Sequence, residues 1–131
     1  MPTFVALLFL LFPMMSLSLQ KHLATGEWGG EHARLEISAQ GGAVEFDCAH
    51  GEFDRQPTLD AQGRFTVTGT YAAEHGGPVR ADETPPVIKV EYVGVVKADK
   101  LRLSVRRAGA KRAFAVFHLV HGQEAMLFKC R

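Results

Sequence analysis

The sequence predicts an all-β domain, a single antiparallel meander closed as a small barrel of seven to eight strands, with a β-sandwich as the alternative. Three observations carry that prediction. Apolar residues alternate with a period of two along most of the chain, no segment beyond the first 18 residues holds a helical period for more than two turns, and short turn-forming clusters separate the alternating runs. Closing the sheet follows from its size, because a meander left open exposes two edges for pairing with other chains. The 13 glycines supply the turns that such a domain needs.

The chain opens on an apolar leader. No charged side chain occurs through position 18, and residues 4–12 read Phe-Val-Ala-Leu-Leu-Phe-Leu-Leu-Phe, the length of a secretory signal core, followed by Pro13 and the small residues Ser16 and Ser18. Cleavage after Ser18 is expected, dividing the chain into a signal peptide, 1–18, and one barrel domain, 19–131, with retention as a short anchor as the alternative. The destination is the periplasm or the exterior. No later apolar run approaches the ~18 to 20 residues of a membrane span.

In chain order, Gly26-Glu27-Trp28 opens the first strand, in which Leu35 and Ile37 alternate with Arg34 and Glu36. Gln40-Gly41-Gly42 turns the chain into a second strand carrying Val44, Phe46 and Cys48. Pointing both apolar faces the same way pairs Ile37 with Val44 and Leu35 with Phe46, which sets Ala33 opposite Cys48 and Glu31 opposite His50. Cys48 and His50 then face inward and His32 outward. Phe65, Val67 and Tyr71 share one face of the next strand, with Thr58-Leu59 as a possible extra one. Ile88, Val90, Tyr92 and Val96 form another, followed across Ala98-Asp99-Lys100 by Leu101, Leu103 and Val105. The run from Phe114 to Val120 is apolar on both faces, which marks a strand flanked on both sides. Met126, Phe128 and Cys130 close the chain as a last strand.

The two cysteines, Cys48 and Cys130, form an even pair without the neighbours a metal knuckle requires, so in an oxidising compartment a disulfide is the default. It would stabilise the fold by up to ~4 to 5 kcal/mol through loop-closure entropy. No asparagine is present, which excludes N-glycosylation. Net charge is +1, which excludes a strongly basic nucleic-acid binder as a description of the whole chain. The charge is nevertheless segregated: residues 19–96 carry six basic against twelve acidic side chains, residues 97–131 nine against two. Pairing between the outer faces of the first and last strands is the favoured explanation, and an anionic surface as partner the alternative.

Gly26-Glu27-Trp28 at the start of a meander resembles the Gly-x-Trp signature of the lipocalin-like, or calycin, barrels. That resemblance implies a Trp28 that closes the barrel floor under a basic side chain from the chain end, Lys129 or Arg131. Parity from the first hairpin sends Trp28 outward unless Gly29-Gly30 forms a bulge that turns it in. A broader pattern, Gly-Glu-Trp-Gly-Gly-Glu-His (26–32), Phe-Asp-Cys-Ala-His-Gly (46–51), Gly-Arg-Phe (63–65), Gly69, His-Gly-Gly-Pro (75–78), Tyr-Val-Gly (92–94) and the terminal Lys-Cys, resembles a group of small secreted bacterial proteins of unknown function. It implies no activity.

Candidate chemistry is sparse. His32, His50 and His75 sit beside glycines and carboxylates, a set that a catalytic zinc could use if they converged, but the expected register puts His32 and His50 on opposite faces. His118 and His121 read as structural histidines in an apolar strand. No Gly-x-Ser-x-Gly elbow, phosphate loop, His-Glu-x-x-His or Cys-x-x-Cys occurs. The expectation is a non-enzymatic, secreted or periplasmic envelope or interaction module, monomeric, with no cofactor, no metal and no nucleic acid. Its partner is another protein or a small apolar ligand. A calycin-type carrier is the alternative and a metal-dependent hydrolase a distant third. The segment from Ala72 to Pro86 is the longest connection and a place for recognition.

Overall fold

A computed structural model describes Pro13 and residues 21–78, 80–82 and 86–130, so the expected leader and its cleavage site lie outside the described residues apart from Pro13. Among the described residues there is no helix. The strands are β1 (Lys21–His22), β2 (Gly26–Gly30), β3 (Ala33–Ser38), β4 (Gly41–Phe46), β5 (Ala49–Phe53), β6 (Thr58–Leu59), β7 (Arg64–Ala73), β8 (Val87–Lys97), β9 (Lys100–Arg107) and β10 (Ala115–His121). Eight of them close an antiparallel barrel in the order β10-β2-β3-β4-β5-β7-β8-β9, a meander joined end to end. β1 and β6 pair with each other outside it.

The inward face can be followed around the wall. Trp28 lies opposite Leu35, Leu35 opposite Val44 and Val44 opposite Gly51. Farther round, Val67 faces Tyr92 and Tyr92 faces Val105, Leu103 faces Phe117, and His121 returns to Trp28. Cross-strand partners share a face, so the inward face runs on through the seam, and the even count of strands lets every neighbouring pair be antiparallel. The interior is filled by these side chains: Trp28, Leu35, Val44, Val90, Tyr92, Leu101, Leu103, Val105 and Leu119 are almost completely buried. Each such burial removes apolar surface worth ~1.5 to 3 kcal/mol.

Four glycines make room for three aromatic rings. A Cβ on Gly42 would run into the Phe53 ring and one on Gly94 into Phe65, while Gly51 and Gly69 leave the space that Tyr92 occupies. The Tyr92 hydroxyl donates to the Thr70 carbonyl at 2.6 Å, so its one polar atom is satisfied. Burial pushes its phenol well above the usual tyrosine range, with a smaller contribution from Tyr71.

Several expectations are corrected. The Gly29-Gly30 bulge is a hairpin instead: Glu31-His32 turns the chain, with His32 at φ 69°, and Gly30 pairs with Ala33. Trp28 shares the inward face of Leu35 for that reason. The glycines serve close approach, because a Cβ on Gly29 would meet the backbone of Gln123 to Ala125 and one on Gly30 the His118 carbonyl.

The first-hairpin register is shifted by two residues. Leu35 pairs with Val44 and Ala33 with Phe46, because the turn is Ala39-Gln40 and Gly41-Gly42 already belong to β4. The second strand ends at Phe46, and Asp47-Cys48 turns into β5, so Cys48 and His50 are exposed rather than inward. Among the described residues, those after His121 form no strand; Met126 makes a single parallel bridge to Glu31, and Met126, Phe128 and Cys130 are exposed. Thr58-Leu59 is a strand outside the barrel. β10 does lie between β9 and β2, but its outer face is uncovered, with Val116 exposed. The β2–β10 seam pairs Gly29 with Val120 and Trp28 with His121, so opposite charges do not face each other at its paired positions.

Candidate functional site at the barrel rim

The two barrel ends differ. At one, Leu23 is a fully buried plug held by its amide on the Pro57 carbonyl at 2.9 Å and by Gln56 Nε2 on its own carbonyl at 2.8 Å. Beside it the Trp28 indole N–H donates to the Ala24 carbonyl at 3.0 Å, and the His121 ring stacks on Trp28 at 4.6 Å with Nε2 2.9 Å from the Thr25 carbonyl. Lys129 is not over Trp28. Arg131 lies outside the described residues, and among those described the basic group there is His121.

The other end is layered with aromatics that reach the surface. Phe117, Phe46, Tyr71 and Phe114 follow one another at centroid distances of 4.8, 5.5 and 5.2 Å, and Phe114 remains 48% exposed. Between β7, β8 and the turn after β9 lies a notch of about 350 Å³ lined by Tyr71, Ile88, Arg107, Ala110, Arg112 and Phe114. That is near the lower bound for small-ligand pockets. A larger open depression of about 810 Å³ lies on the outer wall, bordered by the exposed Glu52, Thr68, Thr70 and Lys89.

On the opposite side of the same rim, two histidine–carboxylate pairs surround the cysteines. His32 Nδ1 lies 2.6 Å from Asp47 Oδ2, and Asp47 Oδ1 accepts the Phe128 amide at 2.7 Å. His50 Nδ1 lies 2.9 Å from Glu74 Oε1, while Lys129 Nζ donates to Glu74 Oε2 and to the Phe46 carbonyl, both at 2.8 Å. The Lys129 ammonium holds the Glu74 carboxyl below its ordinary value; burial opposes this, and His50 adds to it. Cys48 and Cys130, 82 positions apart, stand at disulfide distance with Cα atoms 5.3 Å apart. The segment 122–130 is thereby fastened to the β4–β5 turn by an amide and sulfur and to the end of β7 by an ion pair.

No family model, curated protein or solved structure matches the chain.

His32 and His50 do reach one rim, but each is engaged with its own carboxylate, and His75 Nδ1 lies 2.8 Å from the Gly76 carbonyl. Among the described residues no three His, Cys, Asp or Glu side chains form a metal-holding group. Glu31 and Glu52, the carboxylates adjacent in sequence, are not the partners. Asp47 and Glu74 are, with Lys129 on Glu74; Glu74 stands beside His75 in the sequence but bonds His50, and adjacency to the cysteines could have found the other two, because Asp47 precedes Cys48 and Lys129 precedes Cys130. Gly26, at φ 107°, starts β2 close to His121. Arg107 was also legible, since it shares the inward parity of Leu103 and Val105 and so ends that row at the barrel mouth.

Proposed function

We propose that this protein is a non-enzymatic interaction module of the cell envelope or exterior that works through its outer surfaces. The observation that carries the reading is the filled interior: glycine-seated Phe53, Phe65 and Tyr92, with Trp28 and Leu23 at one end, leave no cup for cargo. The cysteine pair at the surface supports an oxidising destination after removal of the leader. A histidine paired with a carboxylate orients a base, yet neither His32 nor His50 bonds a hydroxyl nucleophile among the described residues.

The rim notch favours a second reading, a carrier whose small ligand sits at the rim between Phe114, Tyr71 and the guanidinium groups of Arg107 and Arg112. Native mass spectrometry of protein purified from its own source distinguishes them. The interaction module is expected at the mass of the polypeptide alone, starting at or near Leu19, with no lipophilic guest extracted by organic solvent. A stoichiometric apolar guest overturns the first reading, and its loss in Phe114→Ala places it in the notch.

A further inference from the structure

We infer that the outer face of β7 to β10, at the Trp28 end of the barrel, is a docking surface for an anionic lipid bilayer. Two adjacent cross-strand rows build it. Arg64 pairs with Val95, Val95 with Arg102 and Arg102 with His118, one row across four strands; Lys97 pairs with Lys100 and Lys100 with Val120 in the next. All of these side chains point outward, and Arg64, Lys97, Lys100, Arg102 and His118 are exposed. With strands ~4.8 Å apart, the first row is ~14 Å wide. The rows border a shallow depression of about 560 Å³ whose lining contains no carboxylate.

What separates this face from an ordinary solvated one is the contrast with the cations elsewhere on the wall. Arg34 is paired across strands with Glu45, and Arg106 with Glu91 at 2.7 Å. Among the described residues, Arg64, Lys97, Lys100 and Arg102 form no ion pair. Acids border the face: Asp99 lies in the turn between the two lysines, Asp60 Oδ1 accepts the Gln62 and Arg64 amides, both at 2.9 Å, and Glu27 lies on β2 beside β10. Of the basic chain end, Arg106 and Lys129 pair with the acids Glu91 and Glu74, whereas Lys97, Lys100 and Arg102 gather with Arg64 on one sheet face.

The choice of a bilayer over a soluble polyanion rests on the valines. Val95 and Val120, both half-buried, stand outward within the two rows, and the half-buried Val93 and the 44% exposed Val116 stand outward in the row beside them, with Thr66 and Ser104. Apolar groups interleaved with Lys and Arg gain only where the partner offers both anionic headgroups and an apolar boundary, and the long cationic stems can lie along that boundary. Each cation near such a surface strengthens binding about fivefold.

This inference rests on the reading of the protein as an interaction module and names its partner; a failure here leaves the interior measurement above unaffected. The test is co-sedimentation of the purified protein with vesicles of phosphatidylcholine alone and of phosphatidylcholine mixed with phosphatidylglycerol. Binding is expected only to the mixed vesicles, falling steeply as salt shortens the Debye length from ~10 Å to ~3 Å. The double change Lys100→Glu/Arg102→Glu should weaken it at least ~30-fold with the thermal midpoint retained. Lys89→Glu, an exposed position near the other end of β8, should leave most of it. Equal binding to both vesicles, equal loss in Lys89→Glu, or binding to linear polyphosphate but not to vesicles would each overturn the assignment.

Discussion

Tryptophan 28 shows how one side chain can hold a barrel end. Its ring is buried against Leu35 and His121 and its N–H is spent on Ala24, so truncation leaves both a cavity and an unpaired carbonyl. Trp28→Ala should destabilise by ~3 to 5 kcal/mol in urea unfolding, and native emission should be blue-shifted; a cost under ~1 kcal/mol would place the ring outside the packing. Gly51→Ala tests the opposite fault. Its added methyl would collide with the Tyr92 hydroxyl and with the Thr70 carbonyl, and the second is backbone that moves only if β5 and β7 separate. A loss of ~1 to 3 kcal/mol is expected, measured as a shift in urea midpoint. Trp28 could be noticed from the sequence as the only tryptophan, but Gly51 could not, because it stands between His50 and Glu52 and the expected parity put it on the outer face. Which ring each glycine admits was not legible, because that depends on the neighbouring strand's register.

At the scale of elements, the C-terminal segment behaves as a strap rather than a strand. It holds to the β4–β5 turn through Cys130 on Cys48 and Phe128 on Asp47, and to the end of β7 through Lys129 on Glu74. Reduction should therefore release residues 122–130 first, seen as loss of amide protection in hydrogen exchange, while the barrel still unfolds in one cooperative step at a urea midpoint lowered by up to ~4 to 5 kcal/mol of stability. The same strap is sensitive to acid. The Glu74 carboxyl is held below its ordinary value chiefly by Lys129, so its contribution is present above that value and is lost as pH falls through the folded pKa. Glu74→Gln should cost about 1 kcal/mol or less at neutral pH, and its midpoint should converge on the parent's as the medium is acidified. Convergence on raising the pH instead would refute the sign. Period-two alternation identified β3, β4, β7, β8, β9 and β10, ran β2 into β3 and β4 into the start of β5, and would have carried the Met126-Phe128-Cys130 pattern into another strand. Alternation alone does not distinguish a buried face from a strap lying on a surface. The two-residue turns at Asp47-Cys48 and Glu31-His32 were missed for a related reason: neither has the Asn-Gly or Gly-Gly chemistry that announces a hairpin.

At the scale of the whole molecule, closure and filling were both foreseeable, the first from the need to remove edges and the second from a chain too short for a roomy cup. Charge placement was not. The sequence shows that the basic residues crowd the end of the chain, and only the register of β7 to β10 puts Arg64 in one row with Arg102 and His118. The meander has a temporal consequence as well. Seven of the eight barrel contacts join strands that follow closely in the chain, whereas the eighth, β2 with β10, joins residues about ninety positions apart. A nascent or translocating chain can assemble hairpins one after another, yet it holds two unsatisfied edges until its last strand arrives. The closing step is slow for entropic reasons, and the sole tryptophan sits on the seam beside His121. The change in Trp28 emission during refolding should accordingly report circularisation itself, lagging behind the far-ultraviolet signal of sheet formation by a separate, later phase.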